Sequence, residues 1–204
     1  NIILNHYSKL NDVENAKKVL TEMKLHKFHP DMTTYTTLMS LFSKINDVDN
    51  VLHYFNLMKN DKFNPDVKAY GCLISCLGRN GKVQDCEFYY REFVGEKTSL
   101  LKEIDFQLEN ETNSAESSNR KMNQHLQTEI TKPNLQLCNN MIYAYAHAGL
   151  IQKAEQFYEE NIVKTNINPD SITFSSLIHG CAKHGDSGKA LFYFNEFEKM
   201  FFKS

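Results

Sequence analysis

The sequence has no tryptophan, no excess of charge and no long hydrophobic run. Its 23 lysines and arginines are balanced by 25 aspartates and glutamates, which gives a formal net charge of −2. This balance argues against a nucleic-acid binder with a broadly basic surface, so any contact with phosphates has to come from a local group of cations. No apolar stretch approaches the roughly 20 residues that a membrane-spanning helix needs, and we expect no membrane partner.

Motifs of common catalytic and metal sites are also missing. There is no H-E-x-x-H, no G-x-S-x-G and no glycine-rich phosphate loop, so we expect neither an enzyme nor a cofactor. The cysteines are odd in number and show no C-x-x-C spacing. This pattern predicts reduced, mostly buried side chains and no metal site. The five are Cys72, Cys76, Cys86, Cys138 and Cys181.

Only four prolines are present, and they mark an internal repeat. Each precedes aspartate or asparagine, in the pairs Pro30-Asp31, Pro65-Asp66, Pro133-Asn134 and Pro169-Asp170. The first two pairs are 35 residues apart and the last two are 36 apart, whereas the middle gap is 68. One repeat therefore carries an insertion, which we place at about 98–130. It is either an elaboration without a partner or a docking arm for one.

The repeat divides the chain into five units, each of which reads as two antiparallel helices. In the first helix, apolar residues fall at i, i+3, i+4 and i+7, as in Tyr35, Leu38, Met39 and Phe42. A single hairpin cannot bury such a face, whereas stacked hairpins share a continuous core, so we expect an all-α solenoid. The units are 1–31 (partial), 32–66, 67–134 with the insertion, 135–170 and 171–204.

Turns and ends follow from the same pattern. Asparagine or glycine, which tolerate left-handed backbone geometry, is expected to end the first helices at Asn46, Gly81, Gly149 and Gly185. The chain opens inside a first helix and ends on Phe201-Phe202 without a polar cap. We therefore expect a longer array, or ends that a partner covers.

These units resemble the pentatricopeptide repeat (PPR). The likeness rests on the 35-residue spacing, the closing Pro-Asp, an early Y-x-x-L-I as in Tyr70–Ile74, and the late Glu-Met of the first unit. Tetratricopeptide repeats have a similar length, but their tryptophan-containing pattern is absent. The resemblance implies a right-handed solenoid that binds single-stranded RNA, with one base read by each repeat.

The resemblance also implies which side chains read the bases. They are the fifth residue after each Pro-Asp position and the closing Asp or Asn of the same unit, which we call a reader pair. The family's pairing rule then implies the preference U-G-any-U-purine, because Gly71 has no side chain with which to read a base. Helix capping is the alternative role for these polar residues. The reader pairs are Asn1 with Asp31, Thr36 with Asp66, Gly71 with Asn134, and Asn139 with Asp170, and Ser175 lacks its closing partner.

A basic or imidazole residue recurs near the end of every first helix. Such a stripe suits RNA phosphates, although a cation also favours the negative end of a helix dipole, and the spacing does not separate these roles. The family's usual aliphatic residue between bases is replaced at most positions, which predicts imperfect base reading: Thr33, Lys68 and Gln136 depart from it and Ile172 fits. The stripe consists of Lys9, Lys44, Arg79, His147 and Lys183.

Three functions are compatible with these features. The first is an RNA-binding factor of an organelle, a mitochondrion or alternatively a plastid, that acts in RNA processing, stability or translation. The second is a structural subunit of a mitochondrial ribosome or another ribonucleoprotein, which clamps rRNA or protein. The third is the RNA-binding arm of a larger enzyme such as protein-only RNase P. The partner in each case is single-stranded RNA, with ribonucleoprotein subunits as possible neighbours at the uncapped ends.

Overall fold

The computed structural model describes residues 1–95 and 134–202, in which all regular structure is helical. The expected all-α class is therefore confirmed. The insertion placed at about 98–130 lies outside the described residues. In chain order the helices are α1 (Ile2–Leu10), α2 (Val13–Leu25), α3 (Met32–Lys44), α4 (Val48–Asn60), α5 (Val67–Arg79), α6 (83–95), α7 (Leu135–His147), α8 (Ile151–Tyr158), α9 (Ser171–Lys183) and α10 (Ser187–Phe201).

The residue that follows each proline starts a first helix. Asp31, Asp66 and Asp170 each accept a hydrogen bond from the backbone amide three residues further on, at 2.7, 2.8 and 2.9 Å. Asn134 accepts one from the Gln136 amide at 2.7 Å. Each cap satisfies an amide that has no partner inside the helix, and such a cap typically contributes about 1 kcal/mol. The capping role considered for these residues is therefore real.

Left-handed residues join the two helices of every unit. The amide after Asn46, that of Asp47, donates to the Phe42 carbonyl at 3.0 Å, which is the bond pattern of a Schellman motif. The expected breaks at Asn46, Gly81, Gly149 and Gly185 are thus confirmed, and Asn11 serves the same role in the first unit. The φ angles at these residues are 56° at Asn11, 59° at Asn46, 70° at Gly81, 79° at Gly149 and 85° at Gly185.

First helices stack side by side through the protein. Helix α1 packs on α3, α3 on α5, α5 on α7, and α7 on α9. The second helices α2, α4 and α8 each pack on their own first helix and also on the first helix of the next unit. Because α5 contacts α7 directly, the units on either side of residues 96–133 are stacked as neighbours. The core is continuous along the layer of first helices.

The buried side chains include those that the sequence pattern selects. Tyr35, Leu38, Met39 and Phe42 are all buried on α3. Small residues near the starts of the second helices are buried against the first helices. Ala16, Val51, Cys86 and Ala154 are fully buried, and Ala190 is partly buried. The apolar stripe of each first helix thus meets the second helix of its own unit.

The five cysteines are free, and all except the partly buried Cys72 are buried. Burial raises the pKa of Cys86 to about 12 and that of Cys138 to about 11, so both thiols are protonated at neutral pH. Among the described residues, no group of three or more His, Cys, Asp or Glu side chains is placed to hold a metal ion. Within the same residues, no helix combines the length and the apolar character needed to cross a membrane.

Helix α8 continues without a break into a π-helical turn at Glu159–Val163. The Lys164 amide donates to the Glu159 carbonyl at 2.9 Å, across five residues. A π turn accommodates one extra residue within a helix. It therefore accounts for the spacing of 36 between Pro133 and Pro169, where Pro30 and Pro65 are 35 apart.

Two glycines bring neighbouring first helices into close contact. A Cβ atom at Gly78 would lie 2.9 Å from the Ala144 Cβ, and a Cβ atom at Gly180 would lie 2.5 Å from the Ala146 Cβ. Both neighbours belong to α7, so this helix is held tightly on both sides. Neither contact leaves room for a methyl group, because the opposing atoms belong to short, rigid alanines.

We expect Gly180→Ala to destabilise the protein by roughly 1–3 kcal/mol, because the added methyl group forces α9 away from α7. Gly188→Ala is the matched control. Gly188 is an exposed helical residue whose added Cβ would meet no atom closer than 3.7 Å. It should be neutral or slightly stabilising, by up to about 1 kcal/mol. Denaturant unfolding measures both, and equal stability of the two variants would contradict the close helix contact.

Candidate nucleic-acid interface

The reader pair of the first unit is in direct contact. The Asn1 side-chain amide donates to the two carboxylate oxygens of Asp31, at 3.1 and 2.9 Å. The Thr34 hydroxyl donates to the Asn1 side-chain oxygen at 2.7 Å, and lies 2.7 Å from Asp31 Oδ1 as well. Stacking of α1 on α3 produces this contact, since it places the start of one first helix beside the start of the next.

An equivalent arrangement recurs in the fourth unit. The Asn139 amide donates to Asp170 at 2.9 Å, and the Thr173 hydroxyl donates to the Asn139 oxygen at 2.6 Å. Asn139 is only 4% exposed. A nucleic-acid base could therefore reach this amide only by entering between two units. The same asparagine–aspartate–threonine network therefore occurs in two distant parts of the chain.

The network keeps its carboxylates ionised. Hydrogen bonds from Thr34, its hydroxyl first, hold the pKa of Asp31 below the ordinary value of 3.8 despite partial burial. Burial alone would raise the pKa of Asp170. Hydrogen bonds from the Thr173 amide and hydroxyl and from Asn139 outweigh that effect and lower it. Each aspartate is thus a charged acceptor that orients the donors around it.

Thr36 and Asp66, the second reader pair, are arranged differently. The Thr36 hydroxyl donates to backbone carbonyls of its own helix, those of Met32 at 3.1 Å and Thr33 at 3.2 Å. Asp66 caps α5 through the Ala69 amide. The residue three positions after Asp66 is an alanine, which has no hydroxyl to offer. The Thr36 side chain is buried and bonded to its own helix.

Gly71 lies in an open pocket of about 460 Å³. The Asn140 side chain donates to the Gly71 carbonyl at 3.0 Å, so the backbone of the third unit is tied to α7. Asn134, the closing residue of this unit, is exposed and caps its own helix. The pocket is lined by Ser40, Ser43, Lys44, Lys68, Gly71, Cys72, Ser75, Arg79, Gln136 and Asn140.

Ser175 is exposed beside a smaller pocket of about 390 Å³ at the last unit. Ile172, Tyr143 and His179 also line it. Its exposure contrasts with the burial of Thr36 and Asn139, which occupy the same place in units that another unit covers. The next first helix therefore shields Thr36 and Asn139, whereas Asn1 is exposed although α3 packs on α1.

Two cations of the predicted stripe bind the preceding unit. The Lys44 ammonium donates to the Ser8 carbonyl at 2.9 Å. The Arg79 guanidinium donates to the carbonyl and hydroxyl of Ser43 and to Asn46 Oδ1, the last at 2.7 Å. Ser8 and Ser43 lie in the last turns of α1 and α3, so both cations interact with the negative end of a helix. Both also border the Gly71 pocket.

The remaining members of the stripe differ in charge and exposure. Lys9 and Lys183 are exposed. The His147 ring stacks on Tyr143 with 5.4 Å between ring centroids. Burial, followed by the nearby charges of Lys183 and two histidines, lowers the pKa of His147. Since the ordinary pKa of histidine is already 6.5, His147 is mostly neutral at pH 7 and contributes little charge to the stripe.

Several residues of this surface were missed by sequence reasoning. Thr34 and Thr173 complete the two asparagine networks, and Asn140 holds Gly71. The threonines had a readable signal, because Asp-x-x-Thr is the pattern of a capping box and both boxes are formed. No pattern predicts Asn140, because its role depends on how closely two helices approach.

The geometry thus defines an α-solenoid of helical hairpins in which polar side chains at the starts of the first helices meet between units. Models of the pentatricopeptide repeat match residues 1–44, 30–79, 133–183, 68–97 and 172–200. These matches cover more than half of the chain. The chain belongs to the pentatricopeptide repeat family.

Individual relatives cover different shares of the chain. A mitochondrial pentatricopeptide repeat-containing protein of Arabidopsis thaliana is 43% identical over 56 residues, which is 28% of this chain and 6% of that protein. The chain thus spans a small part of this relative. Among solved structures, the pentatricopeptide repeat protein PPR10 in complex with an 18-nucleotide RNA matches with a TM-score of 0.72 at 15% identity, over 97% of this chain and 24% of that one.

A second solved structure has a length similar to this chain. It is the PPR domain of Arabidopsis thaliana protein-only RNase P 1 in complex with tRNA. The TM-score is 0.64 at 12% identity, over 98% of this chain and 88% of that one. At such identities the two structures show a shared fold, and the expected repeat solenoid is confirmed.

We expect the Asp170 carboxylate to make the free energy of unfolding depend on pH. The variant Asp170→Asn should lack this contribution. The folded-state pKa of Asp170 is lowered, so its carboxylate stabilises the fold above the unfolded value near 3.8 and loses this effect as the pH falls through the folded value. Asparagine keeps a cap acceptor without the charge. Denaturant unfolding at several pH values should show a gap between wild type and variant that is constant near pH 7 and shrinks below pH 4. A gap independent of pH would contradict the network.

Proposed function

We propose that this chain is a non-catalytic, single-stranded RNA-binding PPR protein of an organelle, acting in RNA processing, stability or translation. The observation that carries the proposal is the repeated contact of reader side chains, Asn1 with Asp31 and Asn139 with Asp170. The five-unit division of the chain is part of the same proposal, with one base per unit.

Asn139 keeps capacity for one more partner of each kind. The Asn139 amide nitrogen has two hydrogens, and Asp170 accepts one of them. The amide oxygen has two lone pairs, and Thr173 uses one. One donor and one acceptor therefore remain side by side. Uracil presents an N–H flanked by carbonyl oxygens on its Watson–Crick edge, which complements this combination.

We expect the other units to discriminate less strongly between bases. In the first unit, the Asn1 amide nitrogen already donates to both Asp31 oxygens, and its amide oxygen accepts from Thr34. Only a lone pair of that oxygen is left for uracil, which the family's pairing rule assigns to this unit. The hydroxyl of Thr36 has to leave its own helix carbonyls to meet a base, and Gly71 offers space without a side chain. The proposed preference therefore remains U-G-any-U-purine. Lys44 and Arg79 border the open third position, where they supply charge for the RNA backbone.

Relatives support the RNA partner and the organelle. One neighbouring PPR structure contains an 18-nucleotide RNA and another contains tRNA. The curated relative is named as mitochondrial, which favours the mitochondrion over the plastid. The likeness to a protein-only RNase P is one of fold, so it gives the enzyme-arm alternative no support beyond the shared solenoid.

A structural ribonucleoprotein subunit is the second candidate. The observation in its favour is the set of large apolar side chains on α10 that remain exposed, among them Leu191 at 61% and Phe192 at 57%. Exposed apolar surface of this kind suits a protein neighbour. In this alternative the solenoid clamps rRNA or protein without reading a sequence, as a subunit of a mitochondrial ribosome would.

An oligonucleotide experiment separates the two candidates. The chain is titrated with labelled U-G-A-U-A and with versions that carry a substituted first or fourth base. Tighter binding of the uracil-containing versions supports the RNA-binding factor. Equal affinity for all versions, together with co-sedimentation with ribosomal particles at moderate salt, supports the structural subunit and contradicts the proposed base reading.

We expect Asn139→Ser to shift the preference at the fourth base toward a purine. Serine shortens the side chain and replaces the amide with a hydroxyl, so the complement to uracil is lost. Competition binding with the four versions of the fourth base measures the change, and the first base is the internal control because Asn1 is intact. Unchanged selectivity at the fourth base contradicts the reader role of Asn139.

Lys183→Ala should weaken binding to all RNAs alike and reduce the slope of log K against log salt by about one unit. Lys44→Ala should do the same. Because Lys44 also binds the Ser8 carbonyl, this variant should in addition lose some stability, whereas the exposed Lys183 should not. If the salt slope is unchanged in both variants, the stripe serves only the helix ends.

A further inference from the structure

The third residue after each closing Asp or Asn varies with the reader of the preceding unit. Where the reader is asparagine, as at Asn1 and Asn139, this residue is threonine, at Thr34 and Thr173. Where the reader is Thr36 or Gly71, it is an apolar residue, Ala69 or Leu137. The family's reader pairs do not include this position. A threonine therefore occurs at this position only where the reader of the preceding unit is an asparagine.

We propose that Thr34 and Thr173 are positioning residues that set which edge of the asparagine amide faces the RNA base. The inference rests on the proposed function, since it assigns the orientation of the same reader side chains. It adds a third member, supplied by the following unit, to the first and fourth reader pairs.

Hydrogen-bond chemistry fixes the two ends of the Asn139 amide. Its nitrogen must face Asp170, because an ionised carboxylate only accepts hydrogen bonds. Its oxygen must face Thr173, because the hydroxyl lies 2.6 Å away and is the donor there. Reversal of the amide would place oxygen against carboxylate and a nitrogen donor against the hydroxyl proton. The aspartate and the threonine therefore select one orientation together.

The Thr173 hydroxyl lies closer to the Asn139 amide oxygen than to the Asp170 carboxylate. The Asp170 backbone amide donates to the Thr173 hydroxyl at 3.2 Å, which occupies a lone pair of its oxygen. The hydroxyl is 2.6 Å from Asn139 Oδ1 and 3.0 Å from Asp170 Oδ1, so its one proton is shared and the shorter bond goes to the reader. The Thr34 hydroxyl is 2.7 Å from both Asn1 Oδ1 and Asp31 Oδ1. Thr173 is fully buried and Asn139 nearly so. Water competes little for these bonds, which strengthens them.

The second unit shows what happens without this hydroxyl. Ala69 occupies the place of the threonine, and the Thr36 hydroxyl donates to carbonyls of its own helix. Thr36 is therefore oriented by its own helix, to which threonine hydroxyls readily donate. The first and second units thus provide a natural comparison within one chain.

The test compares Thr173→Val with Thr173→Ser. Valine keeps the branched shape and removes the hydroxyl, whereas serine keeps the hydroxyl. The readout is the ratio of dissociation constants for RNA pentamers that differ only at the fourth base, with the first base as control. Thr34→Val is the matched variant, in which the first base should respond and the fourth should not. Circular dichroism and thermal unfolding confirm that each variant is folded.

We expect Thr173→Val to lower discrimination at the fourth base about fivefold, the effect of one lost neutral hydrogen bond, and to leave discrimination at the first base unchanged. Thr173→Ser should behave as wild type. Loss of affinity for all pentamers alike, or unchanged discrimination in Thr173→Val, would overturn the positioning role and reduce Thr173 to a helix cap. Failure of the wild type to discriminate at any base would instead overturn the proposed function.

Discussion

The side-by-side stacking of the first helices is the constraint on which the rest of this structure depends. Because α1, α3, α5, α7 and α9 each pack on the next, the start of every first helix lies beside the start of its neighbour. An aspartate that caps one helix can then also hold a side chain of the unit before it, as Asp31 and Asp170 do. The fold and the candidate site therefore share the same hydrogen bonds.

Because the same residues hold the units together and line the candidate site, few substitutions on this surface leave the fold unaffected. Arg79 binds three groups at the end of the preceding first helix, namely the Ser43 carbonyl, the Ser43 hydroxyl and Asn46 Oδ1, and it borders the Gly71 pocket. A cation in that position contributes both to the register of the units and to the field that an RNA backbone would meet. Gly180 is similarly constrained, because α9 lies too close to α7 for a side chain. Recognition by such an array requires adjacent units to remain in contact.

The repeat made much of the fold predictable. Proline spacing and apolar periodicity predicted the hairpins, the breaks at Asn46 and Gly149, and the capping role of Asp66, because these features depend on residues close in sequence. Three hydrogen bonds between units were not predicted. They join Thr173 to Asn139, Asn140 to Gly71, and Lys44 to Ser8. Each joins residues from different units, and its geometry depends on helix approach, which no spacing in the sequence encodes. The reader assignments depend on the family resemblance and stay a prediction.

The most direct test of the account follows the asparagine side-chain amides by NMR. Uniformly ¹⁵N-labelled protein is titrated with U-G-A-U-A, and the side-chain resonances of Asn1 and Asn139 are compared with that of the exposed Asn134. The account predicts that the first two shift and that a pentamer lacking uracil at the first and fourth bases shifts them less. Perturbations confined to α10, with both reader amides unmoved, would contradict it.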